Sequence, residues 1–145
     1  MFPPSRTGLA ALPALLLIVT LAIPATAEPT LYQRLGGQAG VGQIVDQAVN
    51  LWLLDDRIKD DFDNINPDRL KKRLAEQICQ LAHGSCACHG RAMAVAHASL
   101  NITRAKFNAV AEDLETAMER VGIPYWTQNR LMALLAPMQR DVVTR

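Results

Sequence analysis

His97 is the side chain whose type and surroundings most directly predict a chemical role. It lies shortly before a polar break at Asn101, and a long amphipathic pattern with Phe107 near its start follows. A helix that places an imidazole in an apolar pocket can bind haem iron from one side. A lone histidine on an apolar helical face is also a common core residue, so the rest of the sequence must decide between these two roles.

Three cysteines, Cys79, Cys86 and Cys88, lie within ten residues. A bond between Cys86 and Cys88 would be strained, because only one residue separates them and their Cα atoms would lie close to the upper limit of disulfide geometry in an extended chain. We therefore predict a disulfide between Cys79 and Cys86, which would join the end of one helix to the loop after it. Because the number of cysteines is odd, at least one is free or pairs elsewhere.

The loop around these cysteines offers a second candidate for haem attachment. A c-type attachment sequence is Cys-x-x-Cys-His, and the chain has Ser85-x-x-Cys88-His89, a version with a single cysteine. If this were the site, His89 would be the iron ligand and the protein would be a small exported c-type cytochrome. This interpretation stays open beside the His97 site.

The first 27 residues predict a secretory signal peptide. Arg6 provides a positive start, residues 9–23 are apolar but contain Pro13, and residues 25–27 fit the small-x-small cleavage pattern. The apolar stretch is shorter than the roughly 20 residues of a membrane-spanning helix, which favours cleavage after Ala27 over a retained anchor. We expect an exported domain of residues 28–145, in the bacterial periplasm and without stable membrane insertion.

The charge and the length of residues 28–145 limit the partners and the number of domains that can be expected. Removal of Arg6 with the leader leaves 14 basic and 14 acidic side chains in residues 28–145. Nucleic-acid-binding domains carry a clustered basic excess, so no nucleic-acid partner is expected. The remaining 118 residues are enough for one domain with one core and too few for two.

The periodicity of apolar residues is helical nearly throughout, which predicts an all-α fold of about six helices. The predicted helices comprise residues 38–54, a helix that begins at Pro67 and ends before His83, a short helix that carries His97, a helix capped by Thr103, and a last helix over 127–143. Pro137 must kink that last helix or mark the start of its exposed end. The central helices have few aromatic side chains between their apolar faces, a gap that a flat apolar cofactor would fill.

Several motifs, in their order and spacing, resemble those of the group I truncated haemoglobins. They are residues 30–37 (Thr-Leu-Tyr-Gln-Arg-Leu-Gly-Gly), residues 55–58 (Asp-Asp-Arg-Ile) with Phe62, Gly90-Arg-x-Met93, Ala96-His97-x-x-Leu100-Asn-Ile-Thr103 with Phe107, residues 134–138 (Leu-Leu-Ala-Pro-Met) and residues 141–143 (Asp-Val-Val). The match extends over nearly all of residues 28–145. The resemblance implies a truncated globin-like two-over-two helical sandwich that encloses haem b.

The resemblance also implies roles for individual residues. His97 matches the proximal ligand of the haem iron, and Phe62 matches the aromatic ring that stacks on the haem. The other positions expected to contact the cofactor are Leu70 and Leu74 on the distal side and Met93, Ile102 and Phe107 on the proximal side. Arg73 stands where some members place a second histidine ligand, so that ligand is missing here. With Lys71 or Lys72, Arg73 is instead expected to pair with a haem propionate.

The distal pocket departs from the family pattern. Val49 replaces a common tyrosine and Leu74 replaces a glutamine, and neither side chain can donate a hydrogen bond to a gas ligand. Gln77, one turn beyond Leu74, is the neutral polar side chain that could turn into the pocket, and Ile78 completes the expected distal wall. Oxygen affinity is expected to be lower without the family's donors.

Three function classes follow from this interpretation. The first is reversible binding of a diatomic gas (oxygen, carbon monoxide or nitric oxide), with oxygen binding and transport as the expected type. The second is an enzyme that acts on nitric oxide or peroxide, which would need distal hydrogen-bonding groups and a reductase or other electron donor. The third is an electron carrier, which would need two axial ligands. The missing distal donors favour gas binding.

Overall fold

The structure is a computed structural model that describes residues 27–145. The predicted signal peptide therefore lies outside the described residues, apart from Ala27. In residues 27–145 the structure contains seven α-helices, two 3₁₀ helices and no strand. The helices are α1 (Leu31–Arg34), α2 (Gly37–Trp52), α3 (Pro67–Leu81), α4 (Met93–His97), α5 (Arg104–Arg120), α6 (Tyr125–Leu135) and α7 (Gln139–Val142), and the 3₁₀ helices are Lys59–Phe62 and Ala136–Met138.

Local sequence explains where the main helices begin. The Asn66 side chain accepts a hydrogen bond from the main-chain N–H of Arg69, and Pro67 occupies the first turn of α3, where its missing N–H has no cost. The Thr103 hydroxyl caps α5 in the same way, as predicted. Before α2, Gly36 takes a φ of 89°, a conformation that favours glycine and turns the chain out of α1.

The end of α3 is a tight turn. The Gly84 N–H donates to the Cys79 carbonyl at 2.7 Å and the His83 N–H donates to the Gln80 carbonyl at 3.2 Å, with His83 in the left-handed region at a φ of 61°. This pair of bonds is a Schellman motif, which satisfies the last carbonyls of a helix. Gly84 is needed there because a Cβ at this position would collide with the Sγ of Cys79.

The last predicted helix is divided. We expected one helix over 127–143 with a kink or exposed end at Pro137, but α6 ends at Leu135, a 3₁₀ turn follows, and α7 is separate. Pro137 cannot donate a main-chain hydrogen bond, and its ring clashes with the preceding turn. The chain after α6 therefore continues as the separate helix α7, which packs against α4.

The core forms where α2 contacts both α3 and α5, and α6 contacts the same two helices. One face of α2 is buried, comprising Val41, Ile44, Val45, Ala48, Val49 and Trp52. It packs with Ile78 of α3 and with a buried face of α5 that comprises Ala109, Leu114, Ala117 and Met118. Phe107, near the start of the same helix, is only half-buried. No helix within residues 27–145 is long and apolar enough to cross a membrane.

Candidate functional site

His97 is the last residue of α4, and its ring is held by its own helix. The Nδ1 atom lies 2.8 Å from the main-chain carbonyl oxygen of Met93, one turn earlier. A carbonyl oxygen can only accept, so Nδ1 carries the proton and donates it. The neutral ring then has its lone pair on Nε2. An imidazole oriented by an Nδ1–H to carbonyl bond is the arrangement found for metal-binding histidines, so the ring of the half-buried His97 is suited to bind iron.

The chain that follows α4 is tied to the carboxyl end of the protein. The Ile102 N–H donates to the Thr144 hydroxyl at 3.0 Å, and the Thr144 N–H donates back to the Ile102 carbonyl at 2.9 Å. Asn101, just before, has a φ of 51°, a left-handed conformation that asparagine tolerates better than most residues. These bonds fix the junction between α4 and α5, and with it the position of Ile102.

The predicted cofactor contacts are large apolar side chains that stay half-buried. Of the α3 residues expected on the distal side, only Ile78 is fully buried. The half-buried members of the predicted set are Phe62, Leu70, Leu74, Met93, Ile102 and Phe107. Each Å² of apolar surface that is covered contributes about 25 cal/mol, so surfaces of this kind favour a flat apolar partner. With the oriented ring of His97, they fit a haem.

Phe62 stacks on Trp52. The two ring centroids are 5.7 Å apart and the planes differ by 16°. Trp52 ends α2, and its indole N–H donates to the Val110 carbonyl of α5 at 3.1 Å. One face of Phe62 therefore rests on a fixed ring, and the Phe62 side chain stays half-buried. The sequence singled out Phe62 but not Trp52, although a tryptophan at the end of a buried helical face is the signal that could have shown it.

The side chains expected on the distal side of a haem are mostly aliphatic. Val49 and Ile78 are fully buried in the core, and Leu74 is half-buried. Gln77, which we expected as a possible donor to a gas ligand, points its amide Nε2 to two thioethers. The Nε2 atom lies 3.2 Å from the Sδ of Met138 and 3.5 Å from the Sδ of Met93. Thioethers are weak acceptors, so these contacts orient Gln77 without binding it tightly.

A charged group lies at the edge of α3. The Arg73 guanidinium donates to the Glu76 carboxylate at 2.8 Å, and this bond is the main reason that the pKa of Glu76 lies below its ordinary value. Arg73 retains further N–H donors for an anion such as a propionate. Lys71, one of its expected partners in that role, instead pairs with Asp46 on α2. Lys72 is exposed, and it forms no ion pair with any residue of the described part.

The loop between α3 and α4 holds the cysteines. The structure joins Cys79 to Cys86 in a disulfide, with their Cα atoms 6.0 Å apart, and Cys88 is free and half-buried. The His89 side chain is 69% exposed, and its Nδ1 lies 3.9 Å from the Glu76 carboxylate. His97 is half-buried and has an oriented Nδ1–H, whereas the exposed His89 ring lies beside a carboxylate. The geometry thus favours His97 over the Cys88-His89 attachment sequence.

A cluster of charged side chains joins the segment after α2 to α5. The Arg57 guanidinium pairs with Asp55 at 2.7 Å and with Glu112 at 2.6 Å. The hydrogen bonds from Arg57 lower the pKa of Asp55, whereas burial raises the pKa of Asp113, the neighbouring carboxyl on α5. Asp113 Oδ2 is buried with no hydrogen-bond partner in residues 27–145. Asp55 and Asp113 lie far apart in the sequence, so no local pattern indicated this cluster.

Comparisons with known proteins agree with this architecture. A family model described as bacterial-like globin matches residues 30–144. The group 1 truncated hemoglobin GlbN of Synechocystis sp. is 35% identical over 102 residues, which covers 66% of this chain and 80% of that protein. The group 1 truncated hemoglobin of Tetrahymena thermophila is 31% identical over 96 residues, with 66% and 79% coverage.

Solved structures share the fold. The Fe(III) form of the truncated hemoglobin from Tetrahymena pyriformis superposes with a TM-score of 0.77 and 24% identity, over 81% of this chain and all of that one. The 2/2 hemoglobin from Synechococcus sp. PCC 7002 superposes with a TM-score of 0.76, also at 24% identity and over 81% of this chain and 100% of that chain. At this identity the likeness shows the fold, which is that of a two-over-two globin.

The chain belongs to the bacterial-like globin family, among the group 1 truncated haemoglobins. Its all-α fold and its family agree with the sequence prediction. As a member of this family it is a haem-binding globin.

Proposed function

We propose that this protein binds haem b through His97 and reversibly binds a diatomic gas on the opposite side, with oxygen as the expected ligand. The observation that carries the proposal is the bond from His97 Nδ1–H to the Met93 carbonyl, because it leaves Nε2 as the free ligand atom. When bound, haem supplies a ferrous iron that can accept oxygen, carbon monoxide or nitric oxide as a ligand.

The side chains expected around the gas determine whether it receives a hydrogen bond and how fast it is released. Val49, Leu74 and Ile78 provide an aliphatic distal wall that excludes water and donates no hydrogen bond. A polar ligand therefore gains no hydrogen bond from these positions, and fast release is expected. Catalysis on nitric oxide or peroxide normally depends on positioned donors, so the same wall favours a binding function over an enzymatic one.

Optical spectroscopy tests the proposal. Purified protein should show a haem spectrum that changes on addition of oxygen and of carbon monoxide, and its pyridine haemochrome should have the maximum of haem b. A haemochrome of haem c would instead support attachment at Cys88. A protein that purifies with haem but binds neither gas after reduction would contradict the gas-binding function. Because oxygen binding requires ferrous iron, a reductase or small electron donor is the partner we propose beside the gas.

We also propose that the protein is exported to the periplasm after cleavage behind Ala27. The apolar stretch over residues 9–23 and the small-x-small pattern of residues 25–27 support the proposal, and the described domain makes side-chain contacts from Glu28 onward. The Glu28 carboxylate pairs with Arg34 at 2.7 Å, the Pro29 carbonyl accepts from the Arg34 Nε at 3.2 Å, and Arg34 lies 4.8 Å from the centre of the Trp126 ring. The folded domain thus makes use of Glu28 and Pro29. Mass spectrometry of the protein recovered from the periplasm should give an amino terminus at Glu28, and protein found only in the cytoplasm would contradict export.

A further inference from the structure

The loop between α3 and α4 has little main-chain bonding. In residues 85–92 no main-chain N–H donates to a main-chain carbonyl of the described chain. Most side chains of this segment are exposed. A segment without main-chain hydrogen bonds or buried apolar side chains is expected to be mobile unless other bonds hold it. The path of the loop therefore depends on a few side-chain contacts.

Three such contacts tie the loop and the start of α4 to α3. Cys86 is bonded to Cys79, the His89 ring lies 3.9 Å from Glu76, and Met93 Sδ lies 3.5 Å from the Nε2 of Gln77. The His89 contact is exposed and needs a protonated ring, and exposed ion pairs contribute about 0–1 kcal/mol. The contact of an amide N–H with a thioether is also weak. The disulfide is the one strong connection of the three.

The position of α4, the helix that carries His97, depends on how α4 is connected to the rest of the fold. α4 has five residues, no side-chain cap at its start and no fully buried residue. Helices shorter than about 12 residues are marginal in isolation. At its carboxyl end the chain is fixed by the two bonds between Ile102 and Thr144. α7 also packs against α4. At the amino end of α4 the loop is the connection to α3, so the disulfide helps to decide where His97 lies relative to α3.

We propose that the Cys79–Cys86 disulfide is a redox-controlled tether of the His97 helix, which a dithiol opens. With the bond formed, the loop holds α4 beside α3; with the bond open, α4 gains freedom and the cofactor is held less tightly. The second part of this inference rests on the proposed role of His97 as iron ligand.

The exchange reaction has a preferred direction of attack. Cys79 is 2% exposed and lies against Gly84 and the Tyr32 ring, whereas Cys86 is half-buried. A thiolate of the dithiol therefore attacks the Cys86 sulfur, the S–S bond breaks, and Cys79 leaves as a thiolate that takes up a proton. The second thiol of the reductant then displaces Cys86 and forms a cyclic disulfide. The protein gains two thiols, the dithiol is oxidised, and the reverse exchange with such a disulfide closes the tether.

Haem loss from the ferric protein tests the effect on the cofactor without any reductant. Wild type, Cys86→Ser and the matched control Cys88→Ser would each be mixed with an excess of an apo-globin that takes up released haem. We expect Cys86→Ser to lose haem about tenfold faster than wild type, which corresponds to about 1.4 kcal/mol. Cys88→Ser should match wild type. Equal rates for wild type and Cys86→Ser would overturn the effect on the cofactor.

Hydrogen–deuterium exchange tests the tether itself. The ferrous, carbon monoxide-saturated full chain would be compared with and without dithiothreitol, since the iron is already reduced in both samples. We expect faster exchange in residues 93–97 after reduction and no change in α5, with two new thiols by mass spectrometry. No change in residues 93–97, or an equal increase in α3 and α5, would overturn the tether. Because this comparison uses only wild-type protein, it tests the tether even if Cys86→Ser does not fold.

The two measurements also separate this inference from the proposed function. If another residue binds the iron, reduction still speeds exchange in residues 93–97, but haem loss from Cys86→Ser equals that of wild type. If the tether is absent while His97 binds the iron, both measurements show no change, and the His97→Ala variant still fails to hold haem.

Discussion

The side-chain amide of Gln77 on α3 lies 3.2 Å from the Sδ of Met138, in the 3₁₀ turn between α6 and α7. The residue that could have served as a distal donor is thus directed to the carboxyl-terminal part of the fold. Its contact with Met93 involves the same nitrogen. The other side chains expected in the distal pocket, Val49, Leu74 and Ile78, are aliphatic.

We predict that Gln77→Leu leaves the rate of oxygen release within about twofold of wild type, because a hydrogen bond to the gas, worth about 1 kcal/mol, is not being removed. Stopped-flow measurement of oxygen release would check this. Gln77→Glu serves as a polar control of similar size. A release rate several-fold faster in Gln77→Leu would show that Gln77 does turn towards the ligand.

His97→Ala should abolish stable haem incorporation, because the variant lacks the Nε2 that we propose as the iron ligand. A cofactor that binds only the folded state stabilises it, so the melting temperature should also fall. The matched controls are His83→Ala and His89→Ala, which should keep a normal haem spectrum. The absorbance ratio of haem to protein after purification measures the outcome. A normal spectrum for His97→Ala would refute the assignment.

Val49→Tyr should slow oxygen release, because its hydroxyl would be a donor in the distal pocket. Val49 is 0% exposed, so a larger ring also carries a packing penalty of about 1–3 kcal/mol. Val49→Phe has nearly the same size without the hydroxyl and therefore isolates the hydrogen bond. We expect oxygen affinity to be about tenfold higher for Tyr than for Phe, a difference of about 1.4 kcal/mol. Carbon monoxide is less polar when bound, so an equal response of both gases would show that the effect is steric.

Leu74→Gln should also slow oxygen release, because its amide would be a donor in the distal pocket. Leu74 is half-buried, so this exchange of similar volume disturbs the core less than a change at Val49. Leu74→Met is the apolar control. Slower oxygen release in Leu74→Gln but not in Leu74→Met is the expected result. No difference between the two variants would mean that position 74 does not reach the ligand.

Asp113→Asn should stabilise the protein at neutral pH. Burial raises the pKa of Asp113 above its ordinary 3.8, so the folded state binds this proton more tightly than the unfolded state. Its contribution to stability is therefore present below pH 3.8 and lost as the pH rises through the folded-state pKa. Asparagine removes the buried charge and can donate to Asp55. Thermal unfolding from pH 4 to 7 should show the advantage of the variant growing with pH.

Asp55→Asn tests the opposite case, a carboxyl group whose pKa is lowered in the folded protein. Hydrogen bonds from Arg57 lower the pKa of Asp55, so its contribution to stability is present above its ordinary pKa and lost as the pH falls through the folded-state pKa. This variant should be less stable than wild type at neutral pH, with the difference shrinking in acid. If both variants shift the melting temperature in the same direction at pH 7, the account of the cluster is wrong.

Local signals predicted much of the helical structure. Pro67 and Thr103 identified the starts of α3 and α5, and the helical periodicity of apolar residues identified α2. His97 was singled out because a helix end, an apolar segment and a polar break occur together within a few residues. Such features involve neighbours in the sequence, so they can be read without knowledge of the packing.

Contacts between distant segments could not be predicted in this way. Trp52 and Val110 are 58 residues apart, and Gln77 and Met138 are 61 apart. Which side chain faces which depends on the angle at which two helices cross and on where the chain turns at Pro137. The sequence therefore indicated that Phe62 borders the site, but not that a second ring supports it.

The two tryptophans report on different parts of the molecule. Trp52 is buried against Phe62, whereas Trp126 is half-exposed beneath Arg34. Emission from a buried indole is shifted to the blue, and haem quenches indoles near it most strongly. Fluorescence of the unlabelled protein therefore contains a component from Trp52 that should follow entry and loss of the cofactor, while the component from Trp126 follows the surface of α6. Replacing Trp126 with Phe would leave an optical probe of the haem site already built into the end of α2.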